Sequence, residues 1–182
     1  MRKLKLFQFL ETLFLVLLIV LPIRFFLFEP FFVVGQSMEP TFHSFDYLIV
    51  DKISYRFEKP QRNDVIIFRP PVDPSVFYIK RVIGLPGDTV IIQNGHVYIQ
   101  NKHHPQGYEL QEPYLPSTDT TPGNGVFKVT AGHYFVLGDN RAASYDSRRW
   151  GLLPAQNIIG KVELNLVPIS ALFKIVRSGL AR

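Results

Sequence analysis

Arg2, Lys3 and Lys5 precede an apolar run from Leu13 to Ile23, and apolar residues continue to Val34. A segment of this kind has to bury itself in protein or in lipid, and a membrane-spanning helix needs about 20 mostly apolar residues. Phe7 to Phe26 supplies that length, with Glu11 and Arg24 expected near the two interfaces, where they snorkel towards water. Pro22 falls near the outer end, where a helix break is tolerable. A cleaved secretory signal also has a basic start and an apolar centre, but its cleavage needs small residues after the apolar core. No Ala precedes Ala131, and Arg24-Phe25-Phe26-Leu27-Phe28 offers nothing small. The segment therefore reads as an anchor that stays on. Residues 1–6 are expected in the cytoplasm, 7–28 in the membrane as a single pass and 29–182 outside, because basic residues stay inside.

Beyond Pro30 the chain is a series of short runs rich in Val, Ile, Phe and Tyr, separated by turn residues. Phe31–Val34, Tyr47–Val50, Val65–Phe68, Phe77–Ile83, Val90–Ile92, Val97–Gln100, His133–Leu137 and Lys161–Val167 are predicted strands. Gln93-Asn94-Gly95-His96 predicts a hairpin, because Asn-Gly readily takes positive φ at both turn positions. Lys102 to Gly125 carries four Pro and three Gly and reads as a surface excursion. The C-terminal run Leu164–Val176 contains Pro168 and Lys174 and is too short to span, so a strand plus an interfacial or buried tail is expected. The absence of Cys excludes disulfide scaffolds, zinc–thiolate sites, Fe–S clusters and a cysteine nucleophile. The net charge is +5, but the basic residues are scattered, which argues for a solvated surface and against a nucleic acid partner.

Histidine chemistry has little to stand on. His43, His96, His103, His104 and His133 form no metal-ligand spacing, and no GxSxG elbow exists, although spacing alone leaves a Ser-His-Asp triad open. Three other clusters are denser in functional residue types. They are Gly35-Gln36-Ser37-Met38-Glu39-Pro40-Thr41, Tyr78 to Asp88 (YIKRVIGLPGD) and Gly138 to Gly151 (GDNRAASYDSRRWG). Each alone could be a turn, a snorkelling lysine or an ion-paired loop. Together they describe serine–lysine chemistry. A serine hydroxyl is a poor nucleophile until a base takes its proton. Lysine can be that base once burial disfavours its ammonium form. Lys80 stands among Tyr78, Ile79, Val82 and Ile83, which are suitable walls, and strand alternation turns Arg81 away from it.

The same clusters, in this order after one anchor, resemble the boxes of bacterial type I signal peptidases, the membrane-bound leader peptidases. Arg62-Asn63-Asp64-Val65-Ile66-Ile67-Phe68 resembles a further box, with Asn63 where Gly is usual, and Phe45-Asp46 stands where Gly-Asp is common. The resemblance implies Ser37 as nucleophile and Lys80 as general base, with Ser144 orienting the lysine. It implies Asp146 and Arg148 as a supporting ion pair, with Asp139 and Arg141 shaping the same loop. Met38 is expected to pack under the nucleophile, and Ile79 to line shallow substrate pockets. The Ser37 N–H is expected to donate to the oxyanion; Gly35 stands where some members carry a second, serine donor.

Further implications concern fold and substrate. The fold would be all-β, a mostly antiparallel β-barrel-like core with a smaller β excursion at about 93–130. The substrate would be a secreted preprotein leaving the export machinery, cut after small residues at positions −1 and −3. The partners would be such preproteins, membrane lipid and that machinery, and no metal or organic cofactor would be needed. A LexA-like self-cleaving protein and a non-catalytic membrane-tethered β-domain are the alternatives.

Overall fold

The computed structural model describes residues 2–22 and 27–166. The apolar residues 23–26 and the C-terminal run beyond Leu166 lie outside the described residues, and with them the end of the strand expected to reach Val167. Helix α1 covers Arg2–Pro22, and from Phe7 to Val20 every side chain on it is exposed. Among the described residues no helix is long and apolar enough to cross a membrane. The expected span over 7–28 also meets a strand at its end, since β1 is Phe28–Phe32. Pro30 sits inside β1, and proline is tolerated there because β1 is an edge strand with no ladder on its outer side.

The remaining residues are mostly β. A seven-stranded antiparallel sheet has the order β1-β2-β11-β3-β4-β9-β10, where β2 is Tyr47–Asp51, β3 Val65–Phe68, β4 Tyr78–Gly84, β9 His133–Leu137, β10 Leu153–Pro154 and β11 Ile158–Leu166. Register shifts at Val82/Gly84, Ile158/Gly160 and Val162/Leu164 bend the strands, as bulges do, and the sheet curls into a half-barrel. Among the described residues it does not close: β1 and β10 are its two edges, so the barrel-like expectation reduces to an open curled sheet. A second sheet, order β7-β6-β5-β8, comprises β5 Thr89–Gln93, β6 His96–Gln100, β7 Tyr108–Glu109 and β8 Gly125–Lys128. The first strand of this second sheet, β5, spans Thr89–Gln93. The Pro/Gly-rich stretch from Lys102 is less irregular than its composition suggests, since β7 lies within it. Asn94 and Gly95 take φ of 53° and 86° and close the β5–β6 hairpin with Gln93 opposite His96.

Two short helices, α2 (Ser54–Phe57) and α3 (Ser147–Trp150), complete the described elements with one 3-10 turn at Ala155–Asn157. Strand β3 is buried on both faces and separates two cores. Val65 and Ile67 join Val33, Met38, Phe42, Leu48 and Val50 on one side. Ile66 and Phe68 join Val82, Tyr134, Val136 and Leu153 on the other. A third core, including Ile83, Val90, Ile99, Phe135 and Leu137, ties the second sheet to β4 and β9. The three sequence clusters therefore stand on one rigid frame, which catalytic geometry requires.

Candidate active site

The nucleophile segment follows β1 directly. The backbone of Val33 is bonded across the turn, its N–H donating to the Asp46 carbonyl and its carbonyl accepting from the Phe45 N–H. Gly35 has φ of +106°, a conformation that L side chains rarely adopt, and its N–H and C=O both bond the Ser44 hydroxyl. Ser37 is half-buried, and Met38 beneath it is fully packed into the core with Phe42 and Leu48.

Lys80, on β4, is buried, and its Nζ lies 2.6 Å from Ser37 Oγ. The amine also donates to the Ile79 carbonyl at 2.8 Å, which fixes its position. Burial pushes the Lys80 amine from 10.5 down to about 8, against the pull of Asp146 and Asp139, whose negative charges favour the ammonium. An amine with that value is partly neutral near physiological pH, and its lone pair can accept the serine proton.

The third cluster wraps this pair from the other side. Asn140 donates its backbone N–H to the Ser37 carbonyl at 3.1 Å and its side-chain amide to the Gln36 carbonyl. Gly138 permits the approach: a Cβ there would collide with the Ser144 hydroxyl and the Ser37 carbonyl oxygen. Asp146 is wholly buried and accepts from Arg148 at 2.8 Å through both Nε and Nη2, and from the Gly138 N–H. The expected pair of Asp146 and Arg148 is thus in contact. Ser144 departs from its expected partner: its hydroxyl is buried but makes no hydrogen bond among the described residues, to Lys80 or otherwise.

Two further ion pairs join residues far apart in the sequence. Arg81 reaches across from β4 and grips Asp139 through Nε and Nη2 at 2.9 and 2.5 Å, with its guanidinium 3.8 Å over the Tyr114 ring. Arg141 pairs with Glu112 and bonds the Thr121 hydroxyl, both from the excursion. Buried arginines in a Gly-Asp-Asn-Arg run demand carboxylates, but the sequence does not say that Glu112 supplies one.

A groove of about 590 Å³ runs past the Ser37–Lys80 pair, walled by residues 31–34, Ile67, Val76 to Ile79, Ala143 and Tyr145. Ile79 lines it, and no histidine does. Among the described residues no group of His, Asp and Glu could hold a metal ion.

Residues 6–167 match the family described as signal peptidase, peptidase S26. The chain belongs to the signal peptidase family. It is 42% identical to a probable signal peptidase I-1 of Synechocystis sp. over 163 residues, 85% of this chain and 79% of that one. It is also 42% identical to a signal peptidase I of Leptolyngbya laminosa, covering 89% and 80% of the two chains. A signal peptidase I of Bacillus licheniformis is 35% identical, with 95% of both chains covered. These matches are to signal peptidases, which favours that reading over the self-cleaving regulator and the non-catalytic tethered domain.

Two departures from the resemblance have a backbone explanation. Phe45 and Asn63, at the positions where glycine is usual, take φ of 75° and 74°. In this chain both turns use left-handed backbone, the conformation that glycine adopts without steric cost. Asn63 tolerates that conformation, whereas an aromatic residue pays a steric cost for it.

Proposed function

We propose that this peptidase removes N-terminal signal peptides from secreted preproteins by serine–lysine catalysis at Ser37 and Lys80. The carrying observation is the buried Lys80 amine 2.6 Å from Ser37 Oγ, with an ionisation near 8. Neutral Lys80 takes the hydroxyl proton as Ser37 Oγ attacks the scissile carbonyl. The resulting ammonium then gives that proton to the leaving amine, and a water repeats the sequence to release the acyl group. The Ile79 carbonyl holds the amine in both protonation states. The Ser37 N–H is assigned to the oxyanion. Met38 supports the nucleophile from below, and Asp146 with Arg148 supports the loop that carries Ser144. Ser144 is proposed to orient the Lys80 amine during turnover, for which its partnerless hydroxyl is available.

The groove beside Ser37 is apolar and walled by Ile79, Phe31 and Phe77, which suits small residues at positions −1 and −3 and excludes large ones sterically. The chain is proposed to be held at the cell membrane by its N-terminal segment, with the N-terminus cytoplasmic and the β-domain outside. The exposed Phe and Leu side chains on all sides of α1 and the basic residues Arg2, Lys3 and Lys5 support this reading, since such a surface is unfavourable in water. Lipid and the export machinery are then its neighbours. The test is cleavage of a model preprotein by the full chain in detergent, with the cut mapped by mass. Ser37→Ala and Lys80→Ala should each abolish it, and near-normal cleavage by either would refute the mechanism.

A further inference from the structure

A second cavity, of about 280 Å³, adjoins the catalytic groove across one strip of chain. Along that strip Ala143 and Tyr145 line the groove with Ser37, while Ala142 and Ser144 line the cavity. The two spaces differ in chemistry. The groove is largely apolar, whereas Arg141, Arg148 and Arg149 converge on the cavity with Asn124 beside Ile92, Pro122 and Phe127, and no Asp or Glu lines it. Arg141 and Arg148 are committed to Glu112 and Asp146. Arg149 is exposed, and its side chain makes no hydrogen bond or ion pair among the described residues. The partnerless Ser144 hydroxyl stands at the junction of the two spaces.

We infer that this cavity receives an acidic side chain of the preprotein on the mature side of the scissile bond, an inference that rests on the peptidase reading above. A substrate crossing Ser37 fills the apolar groove with its signal-peptide residues and has to leave on the other side. We assign the second to fourth mature residues to the cavity, because a single strip of chain parts it from the groove and an extended substrate advances about 3.3 Å per residue. A carboxylate there meets the uncommitted guanidinium of Arg149, with Asn124 as a neutral donor, in a space that offers no competing anion. An uncharged residue at the same place makes no ion pair with Arg149, and a lysine is repelled.

The experiment uses the full chain in non-ionic micelles without anionic lipid, so that no lipid headgroup supplies the anion. Three preproteins carry Glu, Gln or Lys at the second to fourth mature positions and are otherwise identical. At low salt, kcat/KM should favour Glu over Gln by about two- to fivefold, the range of a solvent-facing ion pair. That preference should shrink with added salt. Arg149→Ala should cleave the Gln substrate as the parent does and lose the preference, and Arg149→Glu should favour Lys. Equal kcat/KM for the three substrates, or a preference for Glu that survives in both variants, would overturn the inference while leaving the peptidase reading intact. Failure of the parent to cut the Gln substrate would overturn the peptidase reading and this inference with it.

Discussion

Lys80 should cost the folded protein stability as long as it carries a proton, and that cost should vanish at high pH. Its amine titrates near 8 when folded and near 10.5 otherwise. Below pH 8 both states are protonated, and the folded state bears the whole penalty of a buried cation. Between 8 and 10.5 the folded amine is neutral while the unfolded one still binds a proton, so unfolding takes up protons and stability rises with pH. Above 10.5 both are neutral and nothing remains. At about 1.4 kcal/mol for each pH unit between the two values, the penalty is about 3 kcal/mol. Lys80→Met keeps the length of the side chain and removes the titration. The lost hydrogen bonds to Ser37 and Ile79 offset part of its gain at any one pH. The pH dependence of the difference isolates the charge. Denaturant unfolding of both full-length proteins in detergent, from pH 7 to 11, should show the parent gaining about 3 kcal/mol on the variant, mostly between pH 8 and 10.5. Parallel stability curves would mean that the amine is not desolvated, and the argument for a lysine base would fall with it.

The same ionisation should appear in catalysis: kcat/KM should rise about tenfold from pH 7 to 9, and a profile flat across that window would rule Lys80 out as the base. Lys80→Arg should be inactive at every pH in this range, since guanidinium keeps its proton; measurable turnover would point to a different base. Gly138→Ala should lower kcat by at least about tenfold by pushing the third cluster off Ser37, at a stability cost of about 1–3 kcal/mol read by thermal melting. Unchanged kinetics would show that the loop yields. Gly35→Ser would add a hydroxyl beside the oxyanion, but φ of +106° makes any side chain there strained, so kcat should fall, and a rise would show that the missing donor outweighs the strain. Phe45→Gly should stabilise the protein by about 1 kcal/mol in denaturant unfolding, because its exposed ring is held at φ of 75°; no change would mean that the turn relaxes around it.

Period-two strands with one buried face were legible, because alternation survives in Tyr47–Asp51 and Thr89–Gln93 whatever their neighbours do. The short strands β7, β8 and β10 were not, since two to four residues carry no periodicity and their pairing is decided by the longer strands beside them. Within the candidate site the residue types were legible and their partners only in part. Asp146 and Arg148 are two apart and could be paired by eye. Arg81 and Asp139 are 58 apart and Arg141 and Glu112 are 29 apart, and those pairings follow from the register of β4 on β9 and the path of the excursion.

These distant pairings explain how a lysine can be buried at all beside two carboxylates. The two buried carboxylates that pull on Lys80 each have their own arginine: Arg148 on Asp146, Arg81 on Asp139. Arg62 does the same for Asp88, and Glu112 for Arg141. Among the described residues Lys80 is the buried cation left without a carboxylate in ion-pair contact. With Asp146 and Asp139 already compensated, their pull on the amine is weaker than the cost of its burial, and the ionisation moves down. If either carboxylate lost its arginine, its uncompensated charge would draw the proton back onto Lys80. Arg81→Met should therefore move the kcat/KM ionisation upward towards 10.5 while Ser37 and Lys80 stay in place. An unmoved pH profile in a variant that still folds and cuts would show that the arginines serve only the fold.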